Sequence, residues 1–178
     1  MNSEIQILDL KFKPYLSAEM IDQKVGELAS KIDLDYAGRQ PLFICILNGS
    51  FIFASDLLKK VSLPCNIEFV RLKSYEGTQS TEKVREVLGL QVYIKDRDVI
   101  VIEDIVDTGH TLAHFFEYLK NYEPRSVKLA SLIFKKEAFK KDFPIDYLGF
   151  EIENKFIVGY GLDYNEYGRN LDAIYQLV

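Results

Sequence analysis

The chain has 178 residues, of which 48% are hydrophobic and 28% charged, and its formal net charge at pH 7 is -5. This length and mixture predict a single domain, residues 1–178, with a sizeable core, and the negative charge opposes nucleic-acid binding, which depends mainly on Lys and Arg. No stretch approaches the ~18 apolar residues of a membrane span and the N-terminus does not resemble a signal peptide, so we expect a cytoplasmic protein that binds neither nucleic acid nor membrane.

Apolar strands and amphipathic helices alternate along the chain. Ser17 is a candidate cap of a first helix, whose apolar residues follow the 3.6-residue period: Ile21, Val25, Leu28, Ala29 and Ile32. Strands are predicted in the runs PLFICIL (41–47), CNIEFVRLK, DVIVIED and SVKLASLIF. Helices are predicted after the first and third of these runs, through Phe53, Leu57 and Leu58 and through Leu112, Phe115, Phe116 and Leu119. The alternation predicts an α/β fold with a mostly parallel central sheet flanked by helices on both faces.

The two cysteines, Cys45 and Cys65, lie in predicted strands. We interpret them as reduced core residues, because disulfides are rare in the cytoplasm.

The stretch VIVIEDIVDTGHTL, residues 99–112, combines an apolar strand with carboxylates. In open α/β sheets the ligand crevice lies beyond the carboxyl ends of the strands, where we expect Glu103 and Asp104. The turn DTGHT then enters a helix, and its backbone N–H groups can bind a phosphate together with Thr108 and Thr111. A sugar phosphate is a ligand that suits both the acids and the turn. The acids can accept hydrogen bonds from ribose hydroxyls, and the turn can bind the 5′-phosphate. The alternative is a strand end with solvated acids followed by an ordinary loop.

Two common phosphate motifs, the P-loop and the G-x-G-x-x-G turn, are absent from the sequence. Their absence argues against a P-loop nucleotidase and a dinucleotide dehydrogenase.

VIVIEDIVDTGHTL resembles the phosphoribosyl-diphosphate-binding motif of the phosphoribosyltransferases. The segments LNGSFIF, RLKSYEGTQST, SLIFKK and GFEIENKFIVGYGLDYNEYGRNL resemble, in order and spacing, those of the hypoxanthine-guanine members, over about residues 40–178. The resemblance implies a Rossmann-like fold with a core at about residues 15–150, a small hood from the N-terminal and C-terminal segments, and a flexible lid loop. It also implies transfer of a phosphoribosyl group from phosphoribosyl diphosphate to a 6-oxopurine, hypoxanthine and also guanine.

The resemblance assigns roles to the residues of the opening motif. Glu103 and Asp104 bind the ribose hydroxyls, and Asp107 is the candidate general base toward the purine imidazole. The residues expected around the 5′-phosphate and ribose are Ile105, Asp107, Thr108, Gly109, His110 and Thr111. At His110 we assign only the backbone, because family members vary there.

Three residues further along the chain are assigned to the purine base. Lys135 donates to the exocyclic oxygen of hypoxanthine or guanine and opposes the amino group of adenine. Phe156 stacks on the base, and Ile157 contributes backbone contacts. From the residues alone, the preferred interpretation of Lys135 is a routine exposed charge, and Phe156 could be an ordinary core residue beside Ile157 and Val158.

The pyrophosphate end of the site is assigned to two loops. Asp163, with Glu103 and Asp104, is a candidate ligand of Mg²⁺, and Arg169 binds the pyrophosphate. Asn48 and Gly49 offer backbone N–H groups, and the family places a cis peptide between residues matching Leu47 and Asn48. Many family members carry Lys or Arg where this chain has Asn48, so we assign no charge there. An exposed acid and arginine in a tail loop are the alternative for 163 and 169.

The long segment SYEGTQSTEKVRE is predicted to be a lid that closes Ser74 and Tyr75 over the substrate. His110 and His114 have a spacing that can bind zinc, but residue 111 is not Glu and no third ligand is evident.

The family implies a homodimer or homotetramer. The competing functions are a transferase for another base, such as xanthine, and a transferase-like regulator that binds nucleotides without catalysis.

Overall fold

The computed structural model describes residues 3–73, 85–88 and 90–178 of the chain. Its elements, in chain order, are β1 (Ile5–Ile7), β2 (Leu10–Leu16), α1 (Ala18–Asp35), β3 (Leu42–Leu47), α2 (Phe51–Lys60), β4 (Asn66–Lys73), β5 (Arg85–Leu88), β6 (Asp98–Val106), α3 (His110–Lys120), β7 (Ser126–Lys135), β8 (Tyr147–Ile152), β9 (Ile157–Val158) and β10 (Ile174–Leu177). The predicted lid, with Ser74 and Tyr75, falls on residues outside those described.

The larger sheet has the strand order β5-β4-β3-β6-β7-β8. β4, β3, β6, β7 and β8 are parallel, and β5 pairs antiparallel with β4 at one edge. The predicted α/β fold with a mostly parallel sheet is therefore confirmed.

Alternate residues of the central strands pack on opposite faces of this sheet. Phe43 and Cys45 of β3 pack in one apolar cluster with residues of α1 and α2. Leu42 and Ile44 pack in a second cluster with residues of α3. Helices on both faces explain why the strand is an uninterrupted apolar run rather than an alternating one.

The predicted helices are confirmed. Ser17 caps α1 by accepting a hydrogen bond from the Met20 N–H at 3.3 Å, and the predicted apolar stripe is buried: Ile21, Val25, Leu28, Ala29 and Ile32. Apolar residues of the other two helices enter the core in the same way: Phe53 and Leu57 in α2, and Leu112, Phe115 and Leu119 in α3. Leu58 and Phe116 are only partly buried.

The smaller sheet, β1-β2-β10-β9, joins both ends of the chain. β2 pairs antiparallel with β10, with Leu16 opposite Ile174. Its own apolar cluster contains Phe12, Val158, Ala173 and Tyr175. These segments are the ones that the resemblance assigns to a hood, and we keep that name for this sheet.

Two details differ from the prediction. β6 continues to Val106, so that Glu103 and Asp104 lie within the strand rather than at its last residues. Cys65 is partly buried and precedes β4 by one residue, whereas Cys45 is fully buried in β3. Both thiols are unpaired, as predicted, and burial raises the pKa of Cys45 to about 12.

No helix in the part of the chain that the structure describes is long and apolar enough to cross a membrane.

The Ser17 cap can be tested by Ser17→Ala. We expect the free energy of unfolding to fall by about 1 kcal/mol, because the Met20 N–H loses its partner. Ser30→Ala is the matched control, since the Ser30 hydroxyl bonds the Gly26 carbonyl within the same helix, and Ala favours a helix interior. Urea unfolding measures both; an equal loss in the two variants would contradict the cap.

Candidate active site

The strands β3 and β6 separate near their carboxyl ends. Their pairing ends at Cys45 opposite Ile102. Beyond that point β3 remains paired with β4 to Leu47, and β6 remains paired with β7 to Val106. The chain leaves β3 toward β4 on one side and returns to β6 on the other, which makes this the switch point where α/β sheets open a ligand crevice.

The turn after β3 lies against the end of β6. The peptide between Leu47 and Asn48 is cis, where the resemblance implies it. A Cβ on Gly49 would stand 1.8 Å from Asp104 Oδ2, so a side chain there would displace the Asp104 carboxylate. The turn is held from behind by the buried Ser50 hydroxyl, which donates to the Ile46 carbonyl at 2.6 Å.

A third segment closes on the same turn. Gly161, with φ +100°, lies so near that an added Cβ would stand 2.0 Å from the Gly49 carbonyl oxygen. Gly161 is not among the site residues predicted from the sequence, although two glycines flank Tyr160 in VGYGLD and were a signal for it. The turn is thus in close contact with the backbone of Gly161 and with the Asp104 carboxylate.

Glu103 and Asp104 form an adjacent acid pair in β6, in which Asp104 is buried and Glu103 is partly buried. Asp104 is 8% exposed, and burial raises its pKa to about 6, against hydrogen bonds from the amides of Ile105 and Asp104 that lower it. Burial also raises the pKa of Glu103, with the neighbouring Asp104 carboxylate as the second cause. Within the described residues, Glu103 Oε2 has no hydrogen-bond partner. The strand therefore presents, in Glu103 Oε2, an acceptor that no described residue satisfies.

The turn that follows β6 leads directly into α3. Gly109 precedes the helix with φ +77°, and an added Cβ would stand 2.6 Å from the Phe139 ring. His110 is the first residue of α3, so its N–H and those of Thr111 and Leu112 belong to the first turn, where helical acceptors are lacking. Thr108 is exposed, whereas Ile105, His110 and Thr111 are partly buried. A phosphate fits this end of the helix.

Lys135 and Asp107 meet across the ends of β7 and β6. Lys135 Nζ lies 3.4 Å from Asp107 Oδ2. Lys135 is only 8% exposed, which excludes the alternative of a routine exposed charge, while the Asp107 side chain is 48% exposed. The ammonium is therefore held inside the crevice with its carboxylate partner open to solvent.

Phe156 also differs from the ordinary interpretation. It is 43% exposed, whereas its neighbours Ile157 and Val158 in β9 are 5% and 0% exposed. The alternative of a buried core phenylalanine is therefore wrong.

Asp163 and Arg169 form an ion pair in the tail loop. Arg169 Nη2 lies 2.6 Å from Asp163 Oδ1, and Arg169 Nη1 donates to the Gly161 carbonyl at 2.7 Å. Asp163 Oδ2 accepts the Glu166 N–H at 2.8 Å. Both side chains are 28% exposed, so they are not freely solvated. Arg169 lowers the pKa of Asp104 and Asp163 raises it, as secondary effects beside burial.

The donor set fits a magnesium ion that is shared with a substrate. Among the described residues no group of three or more His, Cys, Asp and Glu side chains is arranged to hold a metal alone. Mg²⁺ usually binds one or two carboxylates together with water and substrate phosphates. The Asp163 carboxylate is near enough to raise the pKa of Asp104, and among the described residues Glu103 Oε2 has no hydrogen-bond partner, so carboxylate oxygens are available for such a shared ion.

Comparison with known proteins gives concordant matches. A profile of the phosphoribosyl transferase domain matches residues 14–165. The hypoxanthine-guanine phosphoribosyltransferase of Aquifex aeolicus is 37% identical over 97% of this chain and 98% of its own length. The bifunctional TilS/HprT protein of Listeria monocytogenes is 38% identical over 98% of this chain, which spans 26% of that longer protein. The crystal structure of a hypoxanthine phosphoribosyltransferase from Staphylococcus aureus, 38% identical, superimposes with a TM-score of 0.90 over 96% of this chain and 92% of that one.

The raised pKa of Asp104 predicts that the free energy of unfolding depends on pH. The pKa of Asp104 is about 6 in the folded protein and ~3.9 when unfolded. Between these pH values the unfolded chain binds fewer protons than the folded one, so stability falls as pH rises from ~4 to ~6. We expect Asp104→Asn to raise the free energy of unfolding by ~1–3 kcal/mol at pH 7.5, with the gain lost near pH 4.

Urea unfolding at the two pH values, with EDTA present, measures this effect. Asp142→Asn is the control, because Asp142 is an exposed carboxylate. A gain of equal size at both pH values would contradict the assigned cause.

Proposed function

The chain belongs to the phosphoribosyltransferase family, among the hypoxanthine-guanine phosphoribosyltransferases, and on this premise we propose the residues by which it transfers a phosphoribosyl group to a 6-oxopurine. The reaction is a purine salvage step: phosphoribosyl diphosphate and hypoxanthine, or guanine, give IMP, or GMP, and pyrophosphate. The observation that supports it best is the acid pair at 103 and 104, which lies near the end of β6, two residues before the turn into α3.

Glu103 and Asp104 bind the ribose hydroxyls. Each hydroxyl can donate to a carboxylate, and Glu103 Oε2 has an unused acceptor. The first turn of α3 binds the 5′-phosphate through backbone N–H groups and the hydroxyls of Thr108 and Thr111. The sugar thus lies across the crevice with its anomeric carbon directed to the opening between β3 and β6.

Transfer breaks the bond between the anomeric carbon and the pyrophosphate oxygen and forms a bond to a purine nitrogen. Positive charge develops on the ribose ring and negative charge on pyrophosphate, so catalysis depends on placing charges beforehand. The acids below the ribose stabilise the ring, and Arg169 binds the departing phosphates bidentately.

Asp107 accepts the proton that the base loses from its imidazole nitrogen. Its carboxylate is half exposed and lies beside the buried Lys135 ammonium, which orients it. Lys135 retains further N–H donors for the exocyclic oxygen of the purine. It has no acceptor for the N–H groups of the adenine amino group. One lysine therefore serves both base selection and orientation of the general base.

Phe156 stacks on the purine with its exposed face, and the backbone of Ile157 binds the base edge. Asn48 and Gly49 offer N–H groups to pyrophosphate, where Gly49 allows close backbone approach. Ser74 and Tyr75 stay assigned to a lid that excludes water.

Mg²⁺ is proposed as the cofactor, with Asp163 as its main protein ligand and Glu103 and Asp104 as further candidates. When bound, it neutralises charge on the leaving phosphates. Both oxygens of Asp163 already accept hydrogen bonds, yet each carboxylate oxygen has a second lone pair.

The oligomeric state and the location stay predictions. We expect a homodimer or homotetramer, which light scattering after size-exclusion chromatography measures. A cytoplasmic location agrees with two unpaired thiols, the form that a reducing compartment maintains.

The proposed reaction is tested by supplying Mg²⁺, phosphoribosyl diphosphate and one base at a time, and following nucleotide formation. We expect product from hypoxanthine and guanine and none from adenine or uracil. Product from xanthine would extend the substrate range, whereas nucleotide binding without product from any base would indicate a regulator.

Asp107→Asn tests the general base. We expect kcat to fall by ~10²- to 10⁴-fold, the usual contribution of a positioned proton acceptor. Binding of ribose 5-phosphate should persist, since the amide has the same shape. Asp142→Asn, the same change at an exposed position, controls for unspecific effects, and a kcat equal to that of the parent would remove Asp107 from this role.

A further inference from the structure

Three aromatic rings form a closed cluster at the hood. The ring centroids of Phe12 and Phe156 are 6.2 Å apart, those of Phe12 and Tyr164 6.4 Å, and those of Phe156 and Tyr164 5.9 Å. Tyr164 meets Phe156 at an interplanar angle of 87°, an edge arrangement. All three separations lie within the range in which aromatic pairs attract each other.

The three rings of the cluster differ in their exposure to solvent. Phe12 is 0% exposed, Tyr164 is partly buried, and Phe156 is 43% exposed. Phe156 is therefore an open ring supported by two others.

Both supporting rings are fixed by the N-terminal hairpin of the hood. Phe12 belongs to β2, which is paired on both sides, with β1 and with β10. The Tyr164 hydroxyl donates to Asp9 Oδ1 at 2.9 Å, and Asp9 lies in the turn between β1 and β2. The family resemblance places this hairpin in the hood and assigns none of its residues to the purine.

We propose that Tyr164 and Phe12 are positioning residues for the purine base, acting through the Phe156 ring. This inference rests on the proposed function, in which Phe156 stacks on the base. An unsupported exposed ring samples several rotamers, and a ligand that stacks on it must then order it at the expense of affinity. The two supporting rings impose that order before the base arrives.

The support is specific to the base and not to the sugar phosphate. Removing this support should lower the affinity for ligands that carry a purine and leave the affinity for ribose 5-phosphate unchanged. We therefore compare the binding of IMP and of ribose 5-phosphate by isothermal titration calorimetry.

Tyr164→Leu removes the ring edge. We expect IMP affinity to fall ~3- to 10-fold, the range for loss of one aromatic pair, and ribose 5-phosphate affinity to change less than about 2-fold. Tyr164→Phe retains the ring and should bind both ligands within about 2-fold of the parent. Tyr167→Leu is the matched control, the same substitution in the same loop at a side chain that is 60% exposed, and it should bind both ligands as the parent does.

Coupling to Phe156 separates positioning from general loosening of the hood. In a Phe156→Leu background, Tyr164→Leu should have no further effect on IMP affinity, because the ring that it positions is gone. Phe12→Leu provides an independent variant with the same expected pattern, and thermal unfolding establishes that each variant is folded.

The outcomes distinguish this inference from the proposed function. A parent protein that forms no nucleotide and does not bind IMP contradicts the function itself. If the parent binds IMP but Tyr164→Leu weakens both ligands equally, or weakens IMP equally with and without Phe156, the positioning role is overturned.

Discussion

The close contact between the turn after β3 and the end of β6 is the constraint on which the site depends. Gly49 lies against the Asp104 carboxylate so closely that a single added carbon would overlap it. Gly161 packs against the backbone of the same turn. The turn with Gly49, the acids of β6 and the tail with Asp163 and Arg169, to which we assign pyrophosphate and ribose binding, are thereby held close together. Such backbone packing is stiff, which suits a reaction that relies on charges placed beforehand.

This arrangement is costly for the folded protein. Two adjacent carboxylates are removed from water, and burial raises the pKa of both. Core strands ordinarily carry apolar residues at such positions, as β6 itself does at Val101 and Ile102. The acids are tolerated at the point where β6 has lost its pairing with β3, so that a ligand can reach them. Stability is given up at the acids that we assign to the ribose hydroxyls, where a bound hydroxyl would supply the hydrogen bond that Glu103 Oε2 lacks among the described residues.

Much of the fold could be predicted from the sequence because its central strands are unusually uniform. LFICIL is buried along nearly its whole length, and the stripe of α1 follows its period without exception. The hood was harder to predict from periodicity, because β9 is two residues long and β1 three, too short to show a pattern.

The end of β6 was misjudged because Glu103 and Asp104 look like the end of an apolar strand, whereas pairing with β7 continues the strand to Val106. Burial of Lys135 and exposure of Phe156 invert the usual tendencies of these residue types, and only the three-dimensional structure reveals such inversions.

The pairing of β2 with β10 brings residues 16 and 174 side by side. A ribosome delivers these partners in sequence, so the N-terminal hairpin waits for almost the entire chain before its neighbour exists. The Rossmann-like sheet, whose helices and strands follow one another closely, can assemble during that interval. The hood, whose segments include Phe156, is then completed last, after the sheet that contains Glu103 and Asp104.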